Sequence, residues 1–254
     1  MNNKSEYFSQ NTHGYMYCRD GTFSEFIFSL IDRIVSDDFK KYNNAFELGA
    51  GMGRFSFVLV NNFPRIWLVE PSKAYALTIK KLFSNDCSAN NVNHRGTVTI
   101  VNSTMEEFLK KNNIPERSIF FCFHLLHHLS YEQRKELYSC LAKTDAPTVF
   151  VEPNPWNPLI ILQLMLYKDM RLKDEFQYLT FTKKKLSREF NMFDLTVETY
   201  DRLCFLPPPI TKAILKLPFL KKPLLFFEKF RHVFPLLGSY QMFYCKSKNG
   251  KGVI

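Results

Sequence analysis

The 254-residue sequence lacks several features that indicate particular classes of protein. Its six cysteines form no Cys-x-x-Cys pair, so neither a zinc site nor a framework of disulfides is indicated. The polar segment Met1 to Gln10 has no apolar centre like that of a signal peptide, and no apolar run approaches the roughly 20 residues that span a bilayer. We therefore expect a cytoplasmic protein that holds no metal.

Acidic residues are scarce in the last fifth of the chain. Between Leu203 and Ile254, nine Lys or Arg residues are balanced by Glu228 alone, which gives this part +8 of the total net charge of +10. Such a basic patch can bind nucleic acid. However, Phe and Leu side chains are interleaved with the charges, which suits the headgroup boundary of an anionic membrane better. A lid with a solvated basic face is the simplest alternative.

The stretch that organises the chain runs from Ala45 to Phe57. A short apolar segment there ends in an acid, Glu47, and glycines follow at alternate positions: Gly49, Gly51 and Gly53. This spacing predicts a strand that turns tightly into a helix beneath a nucleotide-like ligand. Because glycine has no Cβ, it tolerates the positive φ of a tight turn and lets a ligand lie against bare backbone.

A dinucleotide is the main alternative ligand for such a turn. Its fingerprint requires a third glycine or alanine three residues after the second, and that place holds Arg54 or Ser56, depending on which glycine is counted first. The carboxylate of Glu47 would also repel a pyrophosphate, whereas it would attract a ligand that carries an ammonium and a sulfonium. The turn therefore favours a cationic ligand over NAD.

A second acid, Glu70, follows the apolar run Arg65 to Val69 and lies 19 residues after Gly51. In a strand-helix-strand unit this spacing places a carboxylate beside the carboxyl end of the first strand, where it can accept hydrogen bonds from both ribose hydroxyls. Pro71 then ends the strand. Together with the glycine turn, Glu70 predicts a ligand that contains adenosine.

Three of the six histidines lie in the segment His124 to His128, at the end of the fourth predicted strand. The ligand crevice of an open α/β sheet lies at the carboxyl ends of its strands. The fifth predicted strand ends in Glu152, and strands four and five are neighbours in such a sheet. We therefore expect Glu152 to reach one of the histidines, although any single histidine could simply fill the crevice wall.

The motif Glu-x-Gly-x-Gly-x-Gly resembles the first motif of the class I S-adenosylmethionine-dependent methyltransferases. The His-His pair after the fourth strand is similar to the fourth motif of members that act on quinones, sugars and small polar molecules. The resemblance covers residues from about 15 to 200. It implies a Rossmann-like, seven-stranded, mostly parallel sheet with helices on both faces, an antiparallel last strand and an insertion before that strand.

The resemblance also implies S-adenosylmethionine as cofactor and a set of residues that bind it. That set is Arg19, Glu47, Gly49, Gly51, Gly53, Glu70, Pro71, Thr104, Met105 and Phe123. Thr104 is a departure, because the family usually has an acid there that binds the adenine amino group. Arg19 would lie near the cofactor carboxylate, in a Tyr-and-Arg segment that closes over the cofactor in some members.

The same resemblance favours transfer of a methyl group to a hydroxyl of a small or lipid-linked acceptor, such as a sugar, quinone or glycolipid. A neutral hydroxyl needs a base, so we assign His127 as general base and Glu152 as the carboxylate that orients it, with His128 as the competing base. The alternatives are an N-methyltransferase or nucleic-acid methyltransferase, and an inert protein of this fold. The sequence lacks the Asn/Asp-Pro-Pro-Tyr signature of amino-group methyltransferases. An inert protein would be expected to have lost Gly49, Gly51 or Glu70, and all three are present.

The expected organisation is a single methyltransferase domain over residues 1–254. Residues 1–40 would form helices that cap the sheet. Residues 155–181 and 203–238 would be insertions that cover the substrate or face a membrane. The sequence predicts no oligomeric state, and nucleic acid is the less favoured partner.

Overall fold

The computed structural model describes residues 21–85, 96–159, 161–162 and 179–248 of the chain. A seven-stranded sheet forms its centre, in the order β3-β2-β1-β4-β5-β7-β6. The strands are β1 (Asn44–Leu48), β2 (Arg65–Val69), β3 (Thr97–Val101), β4 (Ser118–Phe123), β5 (Thr148–Pro153), β6 (Leu195–Leu203) and β7 (Tyr240–Ser247). Only β7 runs antiparallel to its neighbours. The predicted Rossmann-like fold with an antiparallel last strand is confirmed.

Helices cover both faces of the sheet. They are α1 (Gly21–Val35), α2 (Ser56–Asn62), α3 (Lys73–Asn85), α4 (Met105–Lys111), α5 (Tyr131–Leu141), α6 (Lys183–Met192), α7 (Pro208–Leu215) and α8 (Lys221–Phe227). Several begin where the sequence offers a capping side chain: the Ser130 hydroxyl accepts a hydrogen bond from the Gln133 amide in a full capping box, and the Thr182 hydroxyl accepts one from the Lys185 amide at the start of α6. Among the described residues no helix is long and apolar enough to cross a membrane.

Phenylalanine rings pack against both faces of strand β4, and the sequence has 26 phenylalanines in all. All six of its residues are buried, and successive side chains point to opposite faces of the sheet. On one face Phe121 packs among the rings of Phe28, Phe39 and Phe63, all within 6.2 Å of one another or of Phe121. On the other face Phe120 lies 5.1 Å from the ring of Phe46. Much of the phenylalanine content is therefore core.

Strand β5 extends one residue further than predicted, to Pro153, because it pairs with Tyr240 at the start of β7. The insertion between β6 and β7 contains α7, α8 and short 3-10 turns. Of the predicted insertion at 155–181, the structure describes residues 155–159, 161–162 and 179–181, and the first twenty residues of the predicted cap lie outside the described part.

Candidate active site

The carboxyl ends of β1 and β2 are joined through the backbone of the glycine turn. The Gly49 amide donates to the carbonyl of Val69 at 2.9 Å, and the Gly51 amide donates to Oε2 of Glu70 at 2.8 Å. The other carboxylate oxygen of Glu70 accepts from the Ser72 amide, also at 2.8 Å. Each carboxylate oxygen has a second lone pair, so Glu70 is held in place and still has capacity to accept from a ligand hydroxyl.

The electrostatics of Glu70 follow from its burial. Only 5% of the residue is exposed, and this loss of hydration raises the pKa of its carboxyl above the ordinary value. The hydrogen bonds from the Ser72 and Gly51 amides act in the opposite direction, because they stabilise the charged form. A ligand that donates hydrogen bonds to Glu70 would stabilise the carboxylate further.

The three glycines of the turn all have positive φ: +72° at Gly49, +56° at Gly51 and +83° at Gly53. A Cβ at Gly49 would lie 2.6 Å from Cδ1 of Leu125, so the buried Leu125 side chain would have to shift to admit it. A Cβ at Gly51 would meet no atom of the described residues within 4 Å. The space in front of Gly51 therefore opens into the crevice, where a ligand could approach the backbone.

Glu47 points into the protein at the base of this turn. It is 2% exposed and accepts a hydrogen bond of 2.5 Å from the hydroxyl of Ser56, at the start of α2. Burial raises the pKa of Glu47 to about 8; the Ser56 hydrogen bond opposes this shift, and the charge of Glu70 adds to it. At neutral pH the folded chain thus keeps a proton on Glu47. The hydrogen bond between Glu47 and Ser56 ties β1 to α2. Its expected attraction for a cationic ligand stays a prediction.

The loop after β3 holds the residues expected beside adenine. The exposed Thr104 caps α4, because its hydroxyl accepts from the Glu107 amide at 3.2 Å, while Met105 is buried. Asn102, which the sequence reasoning missed, donates its amide to the carbonyls of Glu70 at 2.9 Å and Pro71 at 3.0 Å. This amide ties the ends of β2 and β3 together. The adenine contacts themselves stay predictions.

His127 and Glu152 meet at the ends of β4 and β5. Nδ1 of His127 lies 2.6 Å from Oε2 of Glu152, and both side chains are buried. The second oxygen, Oε1, accepts from the amide of Leu126 at 2.7 Å. The ring of the half-buried His128 lies 4.0 Å from that of His127. One carboxylate therefore holds both the imidazole and the 3-10 turn Leu126–His128 that carries it.

His124, the first residue after β4, was not assigned a role from the sequence. Its backbone has φ +52°, an unusual conformation for a residue with a side chain. The residue is half-buried, yet its Nε2 is shielded from solvent and has no hydrogen-bond partner among the described residues. Burial, followed by the charge of Arg54, lowers the pKa of His124 well below the usual value. His124 is therefore a neutral imidazole at the crevice.

Arg54 and Tyr240 complete this side of the crevice. The Tyr240 ring lies 4.7 Å from that of His124. Burial raises the pKa of Tyr240 to about 12, although the charge of Arg54 and a hydrogen bond from it act against that shift. Arg54 also lies over the rings of Phe23 and Phe55, 5.4 Å from each centroid. In the sequence, the position of Arg54 directly after the three glycines could have indicated a role at this site. Nothing in the sequence singles out Tyr240.

Two further residues predicted to bind the cofactor are Phe123 and Arg19. Phe123 is 6% exposed and stacks on Phe55 at 4.2 Å, so it supports the crevice wall. Arg19 lies outside the described residues. Within the described part of the chain, no group of three or more His, Cys, Asp or Glu residues could hold a metal ion.

No protein-family profile and no curated protein matches the sequence, whereas solved structures of methyltransferases share its fold. A SAM-dependent methyltransferase from Leishmania major has a TM-score of 0.60 at 14% identity, over 95% of this chain and 81% of that one. The methyltransferase domain of bacterial CtHen1 gives 0.56 at 12% identity, over 87% and 96%. Mitomycin 7-O-methyltransferase MmcR gives 0.53 at 14% identity; 94% of this chain is covered, but only 60% of the length of MmcR. At these identities the similarity shows the fold alone.

Proposed function

We propose that this chain is an S-adenosylmethionine-dependent methyltransferase whose acceptor is a hydroxyl of a small or lipid-linked molecule, such as a sugar, quinone or glycolipid. The observation that carries the proposal is a convergence at one edge of the sheet. The glycine turn with Glu70 and the buried pair of His127 and Glu152 both lie at the carboxyl ends of strands β1, β2, β4 and β5. This is the edge at which open α/β sheets bind ligands.

The residues of the turn fit the proposed cofactor. The space at Gly51 admits a ligand against the backbone, and Glu70 has lone pairs for ribose hydroxyls. Thr104 and Met105 would lie on the adenine side, and Arg19 would meet the carboxylate. When bound, S-adenosylmethionine supplies an electrophilic methyl group on a sulfonium.

His127 would act as the base that takes the acceptor's proton. A proton on Nδ1, donated to Glu152, leaves Nε2 unprotonated and therefore able to accept. As the hydroxyl proton moves to Nε2, the Glu152 carboxylate 2.6 Å from Nδ1 stabilises the imidazolium that forms. General base catalysis of this kind contributes roughly a hundred- to ten-thousand-fold in rate. The chain must also hold the acceptor about 3 to 3.5 Å from the methyl carbon.

The second candidate is a nucleic-acid or N-methyltransferase, and the basic charge of the C-terminal insertion is the observation that favours it. Strand β4 is followed by the segment His124 to His128, where amino-group methyltransferases carry Asn/Asp-Pro-Pro-Tyr. A neutral amine acceptor can also attack the methyl group through its nitrogen lone pair, so it does not need a buried pair of imidazole and carboxylate as a base. We therefore favour the hydroxyl acceptor.

The test is a transfer assay with S-adenosylmethionine labelled in its methyl group. Purified protein is incubated with lipid extract, polar metabolite extract and RNA in separate reactions, and the His127→Ala variant serves as the matched control. We expect label in an O-methyl product from the lipid or metabolite reaction, and much less with the variant. Label in RNA or in an amine alone, or no label in any fraction with folded protein, would contradict the proposal.

A further inference from the structure

The insertion between β6 and β7 presents an apolar, positively charged face, which we call the insertion surface. Its apolar members are Ile210, Leu217, Phe219, Phe226, Phe227, Val233, Phe234 and Leu236, each between 44% and 73% exposed. Its charged members are Lys216, Lys221, Lys222 and Lys229, all exposed. Eight large exposed apolar side chains within one segment of 27 residues, with the rings of Phe226 and Phe227 6.3 Å apart, indicate an interaction site.

The opposite side of the insertion is anchored in the domain. Thr211, Leu215 and Leu224 are 0%, 7% and 1% exposed, and both leucines belong to the core cluster that includes residues of α1. The hydroxyl of Thr211 donates to the carbonyl of Leu206 at 3.0 Å. The exposed apolar residues therefore do not result from a segment that failed to pack, because the segment has a buried side of its own.

The acids near this segment are turned away from the insertion surface. Glu228 is 2% exposed, and its Oε1 accepts from the Phe205 amide at 2.9 Å. Arg231 pairs with Asp201 at 3.0 Å, and both side chains are largely buried. Among the described residues, none of the four exposed lysines forms an ion pair. The outward face of the insertion therefore carries positive charge together with aromatic and aliphatic side chains.

We propose that the insertion surface binds the surface of an anionic lipid bilayer. Aromatic and aliphatic side chains enter the headgroup boundary, while lysines extend their charged ends to anionic headgroups. Each lysine near such a surface strengthens binding by roughly five-fold. A membrane fits better than nucleic acid, because the charges alternate with exposed phenylalanine and leucine on short helices and turns. None of the described helices is long and apolar enough to span the bilayer.

The insertion surface lies at the same edge of the sheet as the candidate active site. Strand β7 begins at Tyr240, directly after the insertion, and the Tyr240 ring packs on His124 at 4.7 Å. The amide of Asn157 donates to the carbonyl of Leu237 at 2.7 Å and ties the loop that carries Trp156, 58% exposed, to the end of the insertion. If the proposed function holds, the bilayer would present a membrane-borne acceptor near the crevice.

The test is co-sedimentation of the full chain with phosphatidylcholine vesicles, with and without phosphatidylserine, at low and high salt. We expect binding to increase with phosphatidylserine and to fall as salt rises. The combined variant Lys216→Glu, Lys221→Glu, Lys222→Glu and Lys229→Glu should bind at least about a hundred-fold more weakly. Its control reverses four exposed lysines elsewhere, at Lys80, Lys111, Lys143 and Lys184, and should bind as the wild type does.

A second pair of variants separates insertion of apolar groups from simple charge attraction. Phe219→Ser with Phe226→Ser should lower binding at high salt, whereas Leu77→Ser with Met192→Ser, which alters similarly exposed residues outside the insertion surface, should not. Circular dichroism and binding of S-adenosylhomocysteine check that each variant is folded. These two measurements also separate a failure here from a failure of the proposed function.

Three results would overturn the proposal. The first is equal sedimentation of the wild type with both kinds of vesicle. The second is unchanged vesicle binding in both the lysine variant and the phenylalanine variant. The third is tight binding of RNA that the lysine variant loses, without binding to phosphatidylserine vesicles, which would identify the surface as a nucleic-acid site.

Discussion

Oε2 of Glu152 lies 2.6 Å from Nδ1 of His127, although the two residues are 25 positions apart in sequence. The same carboxylate accepts from the Leu126 amide through its other oxygen. Removing the carboxylate would therefore affect the backbone turn as well as the imidazole. Replacing it with an amide that keeps one acceptor oxygen is the milder and more informative change.

His127→Ala and Glu152→Gln should each lower turnover by roughly a hundred-fold or more, because the acceptor's proton would lose its base or that base its orientation. The two losses should not add in the double variant, since the pair acts as a unit. Affinity for S-adenosylhomocysteine, measured by calorimetry, should stay nearly unchanged, because neither residue lies on the predicted adenosine path.

His128→Ala is the control for this assignment. Its ring lies 4.0 Å from that of His127, but the Glu152 carboxylate hydrogen-bonds to Nδ1 of His127. A larger loss of turnover in His128→Ala than in His127→Ala would identify His128 as the base. Full activity in all the variants would show that none of these residues acts as a base and that the chain catalyses transfer by positioning the acceptor alone.

Glu47→Gln should change how stability depends on pH. The pKa of Glu47 is 4.5 when unperturbed and about 8 in the folded chain, so the folded state retains a proton that the unfolded state releases. The wild type therefore loses stability as pH rises through this window and loses no more from Glu47 above it. Because glutamine cannot titrate, the free energy of unfolding of the variant should gain about 3 to 4 kcal/mol on the wild type from about pH 5 to about pH 8.

Denaturant unfolding of both proteins at several pH values checks this expectation. Other acids with raised pKa values, Glu70 and Glu228, are present in both proteins and cancel in the difference. A difference that stays constant over the pH range would show that Glu47 is charged in the folded chain. In that case its carboxylate would be available to a cationic ligand, as the sequence alone suggested.

Substitutions at two glycines of the turn should have different effects. Gly49→Ala should lower the melting temperature strongly, because its Cβ would lie 2.6 Å from Leu125. The Cβ of Gly51→Ala meets no neighbour in the described part of the chain, so its stability cost should be about 1 to 2 kcal/mol from backbone strain at positive φ. Its affinity for S-adenosylhomocysteine should nevertheless fall, because the added methyl group occupies ligand space.

Thermal melts and calorimetry of the two variants give the comparison. Gly51→Asn adds a control, because asparagine tolerates positive φ better than alanine while it still fills the space. If Gly51→Asn is stable and binds S-adenosylhomocysteine as tightly as the wild type, the crevice at Gly51 is not the cofactor site.

The sequence predicted the parts of the site that depend on strand order. Apolar runs that end in Glu70, His124 and Glu152 mark carboxyl ends of strands, and these ends meet at one edge in any parallel sheet. The contact between Glu152 and a histidine could therefore be expected before its geometry was known. The confirmed fold follows from the same alternation of strands and helices.

The rest of the site depends on packing that the sequence pattern does not contain. Whether Glu47 faces the crevice or Ser56 is decided by the path of the backbone after β1. The contact of His124 with Tyr240 joins residues 116 positions apart and exists because β7 enters the sheet antiparallel beside β5. Thr104 resembled a ligand residue by position, yet the start of α4 uses its hydroxyl as a cap.

Calorimetric titration with S-adenosylhomocysteine and, separately, with NAD tests the central claim most directly. The account predicts saturable binding of S-adenosylhomocysteine at one site per chain and none of NAD. Glu70→Ala should weaken that binding by about 1 to 3 kcal/mol, because hydrogen bonds to a charged acceptor are lost. Absence of S-adenosylhomocysteine binding to the folded chain, or tight binding of NAD, would contradict the account.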